Sequence, residues 1–267
     1  MTRISKRFED LKARGEKALV CFVVAGDPDI ETTRRIVLEL DAAGADVVEI
    51  GIPFSDPIAD GPSIQAASMR SLDRGTNVPA VLDLVAAIRR DSQIPIVLMT
   101  YYNPVMHFGV SKFAQEGAKA GVDGTIVTDL TPEEANEWKS AAENAGIDTV
   151  FLLAPTSTAD RIEKVTSLAS GFVYCVSRTG VTGARVSVAQ GVHELVSSIR
   201  ARTDKPIAVG FGISKPEHVR EVSEYADGVV VGSKLVDLIA SGSDTESMLA
   251  ELRKTVSDLK SGTRKRL

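Results

Sequence analysis

A short phrase recurs along this chain and does the same job each time. Ala43-Gly44-Ala45-Asp46, Ala120-Gly121-Val122-Asp123 and Ala145-Gly146-Ile147-Asp148 each close a helical pattern and lead into an apolar run, and Tyr225-Ala226-Asp227-Gly228 is a looser fourth copy. Glycine just past a helix supplies a left-handed C-cap, and the short loop then feeds a buried strand. A chain that repeats this step is built of β-α units. The pattern predicts eight strands, at Ala18–Ala25, Val47–Gly51, Ile94–Tyr101, Gly124–Val127, Thr149–Leu153, Phe172–Val176, Ile207–Gly210 and Val229–Val231. Helices are expected at Ile30–Ala43, Val78–Asp91, Ser111–Ala120, Pro132–Ala145, Ala159–Ser167, Ala189–Thr203, Lys215–Tyr225 and Asp244–Lys260. Thr131-Pro132-Glu133-Glu134, Ser214-Lys215-Pro216-Glu217 and Ser243-Asp244-Thr245-Glu246 read as capping boxes at three helix starts.

Eight such units in about 250 residues predict an α/β fold of one domain over residues 1–267. That fold is a (β/α)8 TIM barrel with long loops after the second and sixth strands. An open doubly wound sheet would want a glycine-rich turn after the first strand, and Gly26-Asp27-Pro28-Asp29 is not one. The net charge of −5 gives no electrostatic reason to expect nucleic acid as a partner. No apolar run approaches the roughly 20 residues of a membrane span. Met1-Thr2-Arg3-Ile4-Ser5-Lys6-Arg7-Phe8 is basic but lacks the apolar core of a secretory signal. The two cysteines, Cys21 and Cys175, fall in predicted strands and read as reduced thiols of a cytoplasmic protein.

Within this frame the stretch Val47–Gln65 stands out. Strand side chains alternate between faces, so Val47, Glu49 and Gly51 share one face and Val48 and Ile50 the other. In a barrel, Glu49 then points inward near the C-terminal mouth, where barrel active sites lie. Burial would raise its proton affinity toward neutral pH and suit it to general acid–base work. Neutralisation by a lysine across the barrel is the competing reading. Asp60 follows on a loop rich in proline and glycine, and by itself Asp60-Gly61 is a turn dipeptide. Only coupling to Glu49 raises it.

Three late loops carry glycines: Ser177-Arg178-Thr179-Gly180-Val181-Thr182-Gly183, Gly210-Phe211-Gly212-Ile213-Ser214, and Gly232-Ser233 opening a short apolar helix over Lys234–Ala240. Such loops let backbone N–H groups approach an anion, and the loops after strands seven and eight are a known phosphate position in barrels. Tyr174 and Phe211 could add aromatic walls. His107, His193 and His218 are scattered without metal-ligand spacing. No G-x-S-x-G elbow is present, and Cys21 lies mid-strand.

Glu49, the run Pro53-Phe54-Ser55-Asp56-Pro57-Ile58-Ala59-Asp60-Gly61-Pro62 and the run Ser177–Gly183 together resemble the tryptophan synthase α chain family. The likeness extends from Ala25-Gly26-Asp27-Pro28 through Tyr101-Tyr102-Asn103-Pro104 to Gly210-Phe211-Gly212-Ile213. The resemblance implies a (β/α)8 lyase that cleaves indole-3-glycerol phosphate into indole and glyceraldehyde 3-phosphate, without metal or organic cofactor of its own. It also implies docking on a β chain that bears pyridoxal phosphate and receives the indole, in an αββα heterotetramer.

By the same resemblance Glu49 protonates indole C3 and later takes the proton of the C3′ hydroxyl. Asp60 stabilises the charge at the indole nitrogen and takes up the proton as the bond breaks, and Tyr174 assists. Gly183, Gly212, Gly232 and Ser233 match the phosphate site. Phe22, Met99, Tyr101, Leu152, Thr182 and Phe211 match the pocket around indole and glycerol. Pro53, Asp56 and Asn103 correspond to the partner face, which includes the Tyr102-Asn103-Pro104 turn. Thr128-Asp129-Leu130-Thr131-Pro132 departs from the more proline-rich family pattern, and Lys234 stands where a small or apolar residue is expected. A sugar-phosphate isomerase barrel would want an acid–base pair after strands one and five, where this chain has Gly26-Asp27 and Ala154-Pro155-Thr156. A silent subunit that only activates a β chain would have no need of a costly buried glutamate.

Overall fold

Nine parallel strand segments form one sheet: β1 (Ala18–Val24), β2 (Val47–Gly51), β3 (Ile96–Thr100), β4 (Gly124–Val127), β5 (Asp148–Val150), β6 (Leu152–Leu153), β7 (Val173–Val176), β8 (Ile207–Gly210) and β9 (Gly228–Val231). This computed structural model describes residues 1–176, 185–210 and 212–264, with backbone alone for 185–190. The strand order is β5-β4-β3-β2-β1-β9-β8-β7-β6. Its two ends, β5 and β6, flank Phe151 and are one strand of the chain, so the sheet closes on itself as an eight-unit (β/α)8 barrel. Across the closure the Tyr174 N–H donates to the Phe151 carbonyl at 3.1 Å.

Helices α1 (Arg3–Ala13), α2 (Ile30–Ala42), α3 (Pro62–Asp73), α4 (Val78–Ile88), α5 (Tyr102–Phe108) and α6 (Val110–Ala120) lie in the first half. The second half carries α7 (Asn136–Ala145), α8 (Ala159–Leu168), α9 (Arg185–Arg200), α10 (Pro216–Ser223), α11 (Ser233–Ser241) and α12 (Thr245–Ser261).

Alternation along each strand sorts side chains into two cores. Leu19, Cys21, Val48, Ile50, Ile96 and Leu98 face the helices, while Val20, Val47, Val97, Ile126, Val150 and Phe172 fill the barrel. Both faces are covered, so every residue of β1 and β2 is buried. Cys21 and Cys175 are free buried thiols.

Helix α1 was not among the expected elements. Ile4, Phe8 and Leu11 lie at helix spacing, Thr2 caps the start by accepting the Ser5 N–H, and all three apolar side chains join the barrel interior. Phe8 reaches the Phe172 ring at 5.8 Å between centroids. The helix therefore plugs the N-terminal end of the barrel and leaves the other end for chemistry.

The recurring phrase also has a second function, carried by its aspartates. Asp46 Oδ2 accepts the Leu19 N–H at 2.7 Å, Asp123 Oδ2 accepts the Ile96 N–H at 2.8 Å, and Asp227 Oδ2 accepts the Ile207 N–H at 3.0 Å. Each carboxylate thus satisfies a backbone donor in the first two residues of a neighbouring strand. Helix α1 is latched to the same ring, through Thr2 to Asp148, Arg3 to Asp123 and Arg7 to Asp46.

Several expectations need correction at element ends. The helix expected from Pro132 begins at Asn136; Thr131 does bond Glu134, but inside a preceding turn. Ser214 makes no cap, since Lys215 occupies the N-cap of α10 and no side chain bonds there. Asp244, not Ser243, caps α12 by accepting the Ser247 N–H. The expected Tyr102-Asn103-Pro104 turn is the first turn of α5, because proline is well placed in a first helical turn.

Candidate active site

The C-terminal ends of β2, β3 and β7 bring the first group of candidate residues together. Glu49 is central in β2, paired across to Phe22 and Val97, and only 1% exposed. Neither of its carboxyl oxygens has a hydrogen-bond partner among the described residues. No lysine neutralises it there. Burial alone pushes its proton affinity up, to a pKa of about 8, so the group is predominantly a neutral acid at pH 7.

Two glycines at strand ends make room around it. A Cβ on Gly51 would lie 2.8 Å from the Phe22 ring, and one on Gly210 would lie 2.5 Å from the Tyr174 hydroxyl. Phe22 and Tyr174 can project over the mouth only because those positions lack side chains. Burial raises the Tyr174 phenol well above its ordinary value, followed by the nearby Glu49, Cys175 and Asp60. Tyr174 thus lies within electrostatic reach of both carboxyl groups. Met99 and Leu152 pack beside it on the inner cluster.

Asp60 sits on the loop between β2 and α3 and is half-buried. Its Oδ2 accepts the Tyr101 hydroxyl at 3.1 Å, and the Tyr101 oxygen in turn accepts the Ala59 N–H at 3.0 Å. The Gln65 amide, one turn into α3, donates to the Asp60 carbonyl at 2.9 Å. Burial raises Asp60 to a pKa of about 6, and the Tyr101 hydrogen bond opposes that rise. Asp60, Phe22, Met99 and Tyr101 line one small cavity with Ile64 and Ser68 of α3. Those two were not singled out from sequence, although their i, i+4 spacing on the helix after the loop is the signal that marks them.

The phosphate candidates are partly in view. Gly232 is the N-cap of α11, Ser233 opens the helix, and among the described residues no side chain caps it, so the Ser233 and Lys234 N–H groups face outward from the helix start. Gly212 has a φ of +47°. Lys234 is exposed on α11. Thr182, Gly183 and Phe211 lie outside the described residues.

Of the partner-face candidates, Asp56 and Asn103 are exposed and Pro53 is buried. The same face presents Ile58 at 86% and Met106 at 57% exposure. Asp129, whose role sequence left open, accepts the Tyr102 N–H at 2.7 Å and so caps α5 from the end of β4.

Two carboxyl groups of different proton affinity, one neutral and one ionised at pH 7, can give a proton to a substrate while stabilising positive charge on it. The fold and site together define an acid–base enzyme of the (β/α)8 class. Comparison with known proteins narrows this. Residues 8–264 match the family described as tryptophan synthase alpha chain. A tryptophan synthase alpha chain from a Geobacter species is 53% identical over 265 residues, 99% of each chain. The crystal structure of tryptophan synthase subunit alpha from Legionella pneumophila superposes with a TM-score of 0.91 at 36% identity, covering 98% of each chain. Tryptophan synthase from M. tuberculosis in its aminoacrylate-bound form gives 0.90 at 35% identity, covering 99% of this chain and 100% of that one.

The chain belongs to the tryptophan synthase alpha chain family. It is a lyase of tryptophan biosynthesis that cleaves indole-3-glycerol phosphate, and its family carries no cofactor on the α chain, pyridoxal phosphate being held by the β chain.

Proposed function

We propose that Glu49 and Asp60 carry out the cleavage as a retro-aldol reaction within one barrel domain spanning residues 1–267. Neutral Glu49 protonates indole C3, and the positive charge this creates at the ring nitrogen is met by the Asp60 carboxylate accepting the N–H. The Glu49 carboxylate then takes the proton of the C3′ hydroxyl. As the carbonyl forms, the C3–C3′ bond breaks and its electron pair restores the indole ring, giving indole and glyceraldehyde 3-phosphate. Glu49 ends in its starting state. The observation that carries this reading is the buried Glu49 carboxyl at the mouth, without a hydrogen-bond partner among the described residues, since such a group is costly unless it works.

Tyr174 packs against the substrate beside both carboxyls. The open N-terminus of α11, with Gly232 and Ser233, holds the phosphate together with Gly212 and Gly183. Phe22, Met99, Tyr101, Leu152, Thr182 and Phe211 enclose indole and glycerol.

The partner in this reading is a tryptophan synthase β chain, in an αββα assembly that receives the indole. The exposed Ile58 and Met106 beside Asp56 and Asn103 support an interface there, with Pro53 setting the loop from beneath. The free thiols support a cytoplasmic setting.

The test is indole release from indole-3-glycerol phosphate by wild type and Asp60→Asn, each with and without a β chain. Wild type should turn over and accelerate with the partner, and Asp60→Asn should lose about 100-fold or more. Full activity in Asp60→Asn, or no effect of the β chain, would overturn the corresponding part.

A further inference from the structure

Asp60 is on a loop, yet its carboxylate is held by a rigid part of the barrel. Tyr101 directly follows β3, is 3% exposed, and has its ring against Phe54 at 5.1 Å between centroids. The next residue opens α5, and Asp129 at the end of β4 fixes that turn through the Tyr102 N–H. The Ala59 N–H donates to the Tyr101 oxygen, so the single phenol proton is directed at Asp60 Oδ2. Asp60 Oδ1 has no hydrogen bond among the described residues.

We propose that Tyr101 is the positioning residue for Asp60, orienting the carboxylate so that Oδ2 is held by the barrel and Oδ1 is presented to the indole N–H. This rests on Asp60 being the group that meets the indole nitrogen. The device has three links: Asp129 sets the start of α5, that turn sets Tyr101, and Tyr101 sets both the loop backbone at Ala59 and the carboxylate. A loop carboxylate without this anchor would spend its time in several rotamers, only some of them productive.

Among the described residues, the titratable groups that face Asp60 from packed elements are Tyr101 and, at longer range, Tyr174. Gln65 faces the loop from α3 as a neutral amide. Tyr101 itself is pushed up to about 12, by burial first and then by Asp60, so it remains a donor throughout the working range. Its hydrogen bond favours ionised Asp60, and removing the hydroxyl therefore shifts Asp60 toward the protonated form.

The experiment compares wild type, Tyr101→Phe and Asp60→Asn as full chains in indole release across pH 5 to 9. Phenylalanine keeps the ring packing and removes only the hydroxyl. Tyr101→Phe should lower kcat/KM by about 10- to 100-fold at pH 7, mostly in kcat. The acid limb of its profile should move up by about one unit, with activity partly recovered at pH 8. If Asp60→Asn is fully active, the reading of Asp60 fails and takes the anchor with it. If Asp60→Asn is crippled but Tyr101→Phe matches wild type, or loses activity with the acid limb unmoved, Tyr101 is a packing residue and the proposal is overturned.

Discussion

Lys260, in the last helix, places its Nζ 2.6 Å from Oδ2 of Asp46, 214 residues earlier, and both side chains are buried. Asp46 ends one of the four recurring phrases, and its carboxylate also receives the Leu19 N–H, second in β1. This buried ion pair joins α12 to the start of the barrel, beside the more exposed pairs Arg253–Glu39 and Arg35–Glu246 that tie the same helix to α2. Lys260→Met should leave Asp46 buried with only Arg7 at 3.5 Å and the Leu19 donor for company. Breaking one side of such a pair costs about 3 kcal/mol, read as a lower urea midpoint, while indole release in the folded protein stays near wild type. An unchanged midpoint would mean that the pair holds nothing together.

The buried acid at the mouth has a signature in stability. Glu49 binds its proton more tightly folded, at about 8, than at its ordinary value of 4.5. That stabilisation is fully present below pH about 4.5 and is lost as pH rises through about 8. Glu49→Gln carries no such proton. Its stability relative to wild type should therefore grow between pH 5 and 8 by about 3–4 kcal/mol, measured by urea unfolding at each pH. A difference that stays constant with pH would mean that Glu49 is not a raised acid.

Activity should show the same two groups from the other side. The cleavage needs Asp60 ionised and Glu49 protonated, so kcat/KM should rise through about 6, as Asp60 loses its proton, and fall through about 8, as Glu49 does. Steady-state assays across this range should give a bell centred at about pH 7. A profile that keeps rising past pH 9 would contradict the role of Glu49 as the acid.

The barrel was legible because its grammar is local. Gly44, Gly121 and Gly146 take the positive φ that the helix ends require, the last two as left-handed C-caps, and the parity of β2 alone turns Glu49 inward. The aspartates of the same phrases were harder, because what they bond is a neighbouring strand rather than their own. Helix α1 is written in Thr2, Ile4, Phe8 and Leu11, but charged residues dominate its surface and its apolar face makes sense only against the barrel bottom. Asp60 looks like a turn residue until Tyr101, 41 positions away, is seen to hold it. Asp129 caps a helix that begins 27 residues before it, which no local capping rule could anticipate.

The central claim is that Glu49 moves the proton. Its most direct test is indole release from indole-3-glycerol phosphate by Glu49→Gln, which keeps the shape of the side chain and removes its acid, with glycerol phosphate binding measured in parallel. The expected result is a loss of about 10²- to 10⁴-fold in kcat with phosphate-ligand affinity unchanged. Turnover near that of wild type would contradict the mechanism outright.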